Sequence, residues 1–249
     1  MKSILTILQK IYVGWAVLWF GLTLLIVFVL LMAGRLLPKR AAHRYSNFIL
    51  NKWAFVWSTG AFILFRRRDR KRCRPRETSV IVCNHGSFLD TPAVYASVPH
   101  LFKTLAKKSL LKAPLMGPIF QTSGIMVDRS SMESRQRSYQ GMVEAIRSQT
   151  SVLIFPEGTQ NRTPELLQDF YEGAFRLAVE MQVPVQPMIC LNSRKVMPQN
   201  RFGEIRPGPI TCVFLDPIST VGLGEKDVDA LTGKVRNLML EALKKHNKA

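Results

Sequence analysis

Acidic residues are scarce in this chain of 249 residues, with 17 Asp and Glu against 35 Lys and Arg and a formal net charge of +18. That balance directs attention to anionic partners, either nucleic acid or lipid headgroups. The basic residues are not interleaved with aromatics and no nucleic-acid-binding motif is present, so lipid headgroups are the expected partner and nucleic acid is not. Cysteine is equally sparse. Cys73, Cys83, Cys190 and Cys212 form no C-x-x-C pair, which argues against a zinc site or a disulfide framework and for a reducing compartment. No metal or cofactor is expected. The chain also lacks a G-x-S-x-G nucleophile elbow, which disfavours an ester hydrolase built on its own serine. It has no internal repeat and no low-complexity linker.

Charge is absent altogether from residues 11–34, IYVGWAVLWFGLTLLIVFVLLMAG. As a helix this run is long enough to cross roughly 30 Å of hydrocarbon. A cleaved signal sequence is the competing reading, since Lys2 and Lys10 precede the run, but an h-region spans only about 7–15 residues. A second apolar stretch, 53–65, has 13 residues. By length it suits a buried, re-entrant or interfacial helix, so a hairpin dipping into one leaflet and two crossings are both open. Next comes RRRDRKRCRPR at 66–76, where eight of eleven side chains are Arg or Lys. Such a cluster beside a membrane segment marks the cytoplasmic side and attracts anionic lipid. Residues 1–76 therefore read as a membrane-anchoring segment and 77–249 as one catalytic domain on the cytoplasmic side.

Beyond residue 77, short β-rich runs alternate with helical patterns, the signature of an α/β domain, here expected as a mixed sheet flanked by helices. Strands are expected at 79–83, 125–127, 152–155, 185–190 and 211–215. Helices are expected at 130–149, where Ser130 and Glu133 have capping-box spacing, at 170–181 and at 225–246.

Two segments carry chemistry. The strand ending at Cys83 runs into Asn84-His85-Gly86-Ser87-Phe88-Leu89-Asp90. Extended chain would separate His85 and Asp90 by about 16 Å, but Gly86 permits a turn that brings the carboxylate to the ring. A carboxylate-oriented imidazole is a general base near neutral pH, and with no enzyme nucleophile beside it a substrate hydroxyl takes that place. The plainer reading makes Asp90 a helix cap ahead of Pro92. The second segment is Phe155-Pro156-Glu157-Gly158-Thr159-Gln160-Asn161-Arg162, a fixed loop at a strand end, where α/β sheets usually bind ligands. There Arg162 can hold a phosphate and Glu157 a glycerol hydroxyl.

NHGSFLD followed by FPEGTQNR, with 66 residues between Asp90 and Glu157, resembles the 1-acylglycerol-3-phosphate acyltransferases of the glycerolipid acyltransferase superfamily. Two further blocks match in the same order. One runs from Ala106-Lys107-Lys108-Ser109-Leu110 through Pro114 and Gly117 to Gly124-Ile125-Met126-Val127-Asp128-Arg129, and the other is Val183-Pro184-Val185-Gln186-Pro187-Met188. The resemblance covers roughly residues 80–190. It implies that His85 is the base and Asp90 its orienting partner, that Glu157, Gly158 and Thr159 form the acceptor loop, and that Lys107 and Arg129 serve glycerophosphate binding. One departure matters: the family has Arg directly after the Thr of FPEGT, and here Gln160 stands there, with Arg162 two residues on.

The implied reaction moves an acyl group from acyl-CoA or acyl-acyl-carrier protein to the sn-2 hydroxyl of lysophosphatidic acid, giving phosphatidic acid without a cofactor. Glycerol-3-phosphate or another lysolipid are the alternative acceptors. A membrane-bound scaffold that binds anionic lipid through 66–76 would need no catalysis.

Overall fold

The structure is a computed structural model of the chain and describes residues 2–74, 77–128, 131–199 and 201–247. The helices are α1 (Lys2–Gly34), α2 (Lys39–Gly60), α3 (Asp90–Ser97), α4 (Met116–Ser123), α5 (Met132–Arg147), α6 (Gly173–Glu180), α7 (Ser193–Val196) and α8 (Val228–Asn247). The strands are β1 (Ile63–Arg68), β2 (Val80–Cys83), β3 (Phe102–Lys107), β4 (Gly124–Val127), β5 (Ser151–Ile154), β6 (Val185–Leu191) and β7 (Gly208–Phe214). They form one mixed sheet of seven strands in the order β1-β7-β6-β2-β5-β3-β4. The α/β expectation holds.

Two units divide the chain. The first comprises residues 1–68, 86–97 and 190–212. Its largest feature is a pair of helices, α1 against α2, seamed by aromatics: Trp15 stacks on Trp19 at 5.8 Å, and Phe20 lies 5.6 Å from both Trp53 and Trp57. Two indole N–H groups in this seam find backbone acceptors, Trp15 on Gly60 O at 2.8 Å and Trp19 on Trp57 O at 3.1 Å. On its other side α1 exposes Ile4, Ile7, Leu8, Ile11, Leu18, Leu22, Leu25 and Val29. Helical spacing puts these on one stripe. Among the described residues α1 is the one helix long and apolar enough to cross a membrane, with a mean hydropathy of 2.7 over its apolar part.

The stretch 53–65 is not a single helix. Residues 53–60 are the last two turns of α2, Phe62 takes a left-handed φ of 56°, and the chain leaves as β1. Much of the basic run that follows is folded as well. Arg66, Arg67 and Arg68 end β1, Arg67 lies 5.0 Å over the Phe55 ring, and Arg70–Arg72 form a single 3-10 turn. Pro75 and Arg76 lie outside the described residues.

The second unit comprises residues 69–85, 98–189 and 213–249. Its core is parallel. β2 pairs with β5 (Ile81 opposite Leu153) and with β6 (Cys83 opposite Met188), and β3 pairs with β5 and β4. β2 and β5 are buried along their whole length, which explains why they read as continuous apolar runs rather than alternating ones. Because these strands are parallel, the loops following β2, β3, β4 and β5 all leave from one edge. β3 was not anticipated, since Lys103 and Lys107 interrupt its pattern. Helix α5 starts later than expected: its cap is Ser131, whose side chain accepts from the Ser134 N–H, while Ser130 lies outside the described residues. Helix α6 starts at Gly173 rather than 170 because the segment before it is held in the loop that follows β5; Tyr171 N–H donates to Pro156 O at 2.9 Å.

Candidate active site

The loop after β5 begins with a turn whose residues match its geometry. Gly158 N–H donates to Phe155 O at 2.9 Å and Gly158 has φ +74°. Pro156 at the second position and glycine at the fourth are the favoured residues of such a turn. Within it Glu157 is 3% exposed. Its Oε1 accepts the backbone N–H of His85 at 2.8 Å and its Oε2 that of Gln168 at 2.9 Å. Burying a carboxylate is costly unless charge-assisted hydrogen bonds compensate it, and these two N–H groups do so. Glu157, expected to receive a glycerol hydroxyl, thus turns its carboxylate to the end of β2 and to the backbone of Gln168.

His85 is held from three directions. Besides the N–H bond to Glu157, its carbonyl accepts the Asn161 N–H at 2.6 Å, and its ring stacks on Phe155 with centroids 4.0 Å apart at 18°. Half-buried, it keeps part of the imidazole accessible. Asn161 was missed in the sequence. It is buried, its Oδ1 accepts from both the N–H and the hydroxyl of Thr163, and its Nδ2 donates to Glu165 O at 2.9 Å. The signal for it was the Asx turn that Asn favours in loops. Its neighbours Thr159 and Arg162 are exposed, while Gly158 and Gln160 are half-buried.

Asp90, in the first unit, opens α3 and is 0% exposed. Its Oδ2 accepts the N–H groups of Gly86 and Ser87, each at 2.7 Å. The carboxylate thus reaches back into the loop instead of forward over the helix, as a simple cap would. The five-residue segment from Gly86 to Asp90 is closed by a charged group, with the Asp90 N–H also donating to Ser87 O at 3.2 Å. Ser87 Oγ in turn donates to Met197 O at 2.9 Å.

Of the expected basic residues, Lys107 is exposed at the carboxyl end of β3, and its neighbour Lys108 pairs with Asp128 at 3.2 Å. Arg129 lies outside the described residues. No group of three or more His, Cys, Asp or Glu is placed to hold a metal among the described residues. The site thus assembles a backbone-pinned imidazole, a buried carboxylate clasp and exposed cations on loops leaving one sheet edge, where α/β sheets bind ligands.

Comparison with known proteins gives the chain a family. A family model described as Acyltransferase matches residues 59–191, more than half of the chain. The 1-acyl-sn-glycerol-3-phosphate acyltransferase beta of Homo sapiens is 32% identical over 212 residues, covering 82% of this chain and 73% of that protein. The 1-acyl-sn-glycerol-3-phosphate acyltransferase of Cocos nucifera is 27% identical over 172 residues, 68% of this chain but only 55% of its own length. The fold is that of the 1-acyl-sn-glycerophosphate (LPA) acyltransferase PlsC from Thermotoga maritima, whose crystal structure matches with a TM-score of 0.80 at 19% identity over 100% of this chain and 99% of that one. With the matched domain spanning both the His85 and Glu157 segments, the chain belongs to the 1-acyl-sn-glycerol-3-phosphate acyltransferase family.

Proposed function

We propose that this chain transfers an acyl group from an acyl thioester to the sn-2 hydroxyl of lysophosphatidic acid, with His85 as general base and Asp90 as the residue that orients it. The observation that carries this reading is the pinning of His85 through both its N–H and its carbonyl to the loop of Glu157 and Asn161. A general base must hold its ring within hydrogen-bond reach of the proton it removes, and a backbone fixed on both sides keeps the ring from drifting. The names of the two relatives described above, both 1-acyl-sn-glycerol-3-phosphate acyltransferases, support the acceptor.

In the proposed reaction the ring of His85 takes the proton of the acceptor hydroxyl as its oxygen bonds to the thioester carbonyl. The tetrahedral intermediate collapses, the C–S bond breaks, and the proton passes from His85 to the leaving thiolate. No acyl-enzyme forms. Asp90 keeps the loop after His85 in one shape, and its negative charge favours the imidazolium that develops. Lys107, Arg129 and Arg162 are assigned to the acceptor phosphate, Gly158 and Thr159 to the wall of the acceptor loop, and acyl-CoA or acyl-acyl-carrier protein supplies the acyl group.

The apolar stripe of α1 holds the catalytic domain where acceptor and product are dissolved, and the exposed Arg66, Arg68, Arg70 and Lys71 face anionic headgroups on the cytoplasmic side. The test is an assay of the membrane-embedded protein with lysophosphatidic acid, glycerol-3-phosphate and other lysolipids against both donors, with products identified by mass. Phosphatidic acid as the main product is the expected result. Because Gln160 replaces the usual Arg, preference for another acceptor would move the assignment to that lipid.

A further inference from the structure

We propose that Arg194 binds a phosphate group of a substrate at the general-base loop; this deepens the acyl-transfer reading and rests on it. Arg194 belongs to α7, which begins two residues after β6 ends at Leu191. β6 runs parallel to β2, with Met188 opposite Cys83, so α7 and His85 both follow carboxyl ends of neighbouring strands. The turn into α7 is tight: Asn192 adopts the left-handed conformation, at φ 65°. Ser193 and Val196 are buried on either side of Arg194, whereas Arg194 itself is exposed.

Two contacts bind α7 to the loop that follows His85. One is the Ser87 Oγ bond to Met197 O. The other is a close approach of the arginine stem to Gly86. A Cβ placed on Gly86 would stand 2.7 Å from Arg194 Cγ and 2.8 Å from Cδ. Any residue but glycine would push the stem aside, so Gly86 leaves room for Arg194 to lie across the peptide next to His85. An exposed guanidinium whose stem is laid along a catalytic loop is suited to a bidentate contact with a phosphate. No motif marks Arg194, because its significance lies in a neighbour 108 positions earlier in the chain.

The phosphate belongs either to the acceptor headgroup or to the donor carrier. Four combinations separate them: lysophosphatidic acid or 1-acylglycerol as acceptor, with acyl-CoA or a phosphate-free acyl-pantetheine as donor. In R194A, kcat/KM should fall about 10- to 100-fold for the phosphate-bearing member of one pair and not for its phosphate-free counterpart, chiefly through KM. R194K, which keeps the charge without the fork, should recover part of the loss. A loss that follows the acceptor phosphate assigns Arg194 to the headgroup, and one that follows the donor phosphate assigns it to the carrier. Equal rates in R194A and wild type, or an equal loss across all four combinations, overturn the proposal while leaving acyl transfer intact. A wild-type protein inactive on every combination overturns both.

Discussion

The N–H of His85 donates to Oε1 of Glu157 across 72 positions of sequence, at 2.8 Å. This bond ties the end of β2 to the turn after β5, so under the proposed mechanism removal of Glu157 should act through His85.

Replacing Glu157 by Ala strips acceptors from two backbone N–H groups in a buried place. Each such loss costs about 1–3 kcal/mol, so a fall in thermal stability is expected together with a drop in kcat of roughly 10²-fold or more. KM for the acceptor should change much less. A variant with normal kcat and a raised KM for the acceptor would return Glu157 to direct substrate contact.

Asp90 allows a graded test. Asp90→Asn retains an oxygen that can accept the Gly86 and Ser87 N–H groups but loses the charge. It should remain folded and lose roughly 10–10³-fold in kcat. Asp90→Ala leaves both N–H groups unsatisfied and should also be less stable than Asp90→Asn by about 1–3 kcal/mol. Comparing denaturation midpoints with rates separates the two roles, and equal stability of the pair would remove the clamp from the account.

Much of this site was legible in the sequence, and the exceptions have physical causes. β2 and β5 announce themselves because strands buried on both faces are apolar without interruption, and the glycine and proline of the loops mark turns. β1 was concealed by the arginines that end it, and β3 by lysines on its half-exposed positions. The backbone partners of Glu157 were not legible, because backbone N–H groups carry no sequence signature. Asn161 and Arg194 are defined by what lies beside them after folding, which a motif does not encode.

Gly86 and Arg194 should be coupled. Gly86→Ala places a methyl where the Arg194 stem lies, so the alanine displaces a flexible side chain rather than backbone and the stability cost should stay near 1 kcal/mol. In an Arg194→Ala background that cost should largely vanish. A double-mutant cycle on unfolding free energy measures the difference; additive effects would deny the contact.

His100 gives the fold an acid limit. Its Nε2 lies 3.0 Å from Ser151 Oγ and its Nδ1 3.8 Å from Cys73 Sγ. Burial holds its pKa near 4, below the usual 6.5, and burial likewise pushes the Cys73 thiol up to about 11. Between these two histidine values the unfolded chain binds a proton that the folded chain refuses, so stability declines as pH falls from about 6.5 to about 4. Above 6.5 the effect is absent. The decline should amount to about 3 kcal/mol. His100→Gln should flatten that part of the pH profile, as denaturant melts at pH 7, 5.5 and 4.5 would reveal; an unchanged slope would assign the acid sensitivity elsewhere.

The central claim is that His85 removes the proton of the acceptor hydroxyl, and the most direct measurement is acyl transfer by His85→Ala in membranes or micelles, from acyl thioester to lysophosphatidic acid. Because the fold holds His85 mainly through its backbone, the variant should melt near the wild-type temperature. Its kcat should fall by about 10²–10⁴. A folded His85→Ala protein that forms phosphatidic acid at the wild-type rate would contradict the account.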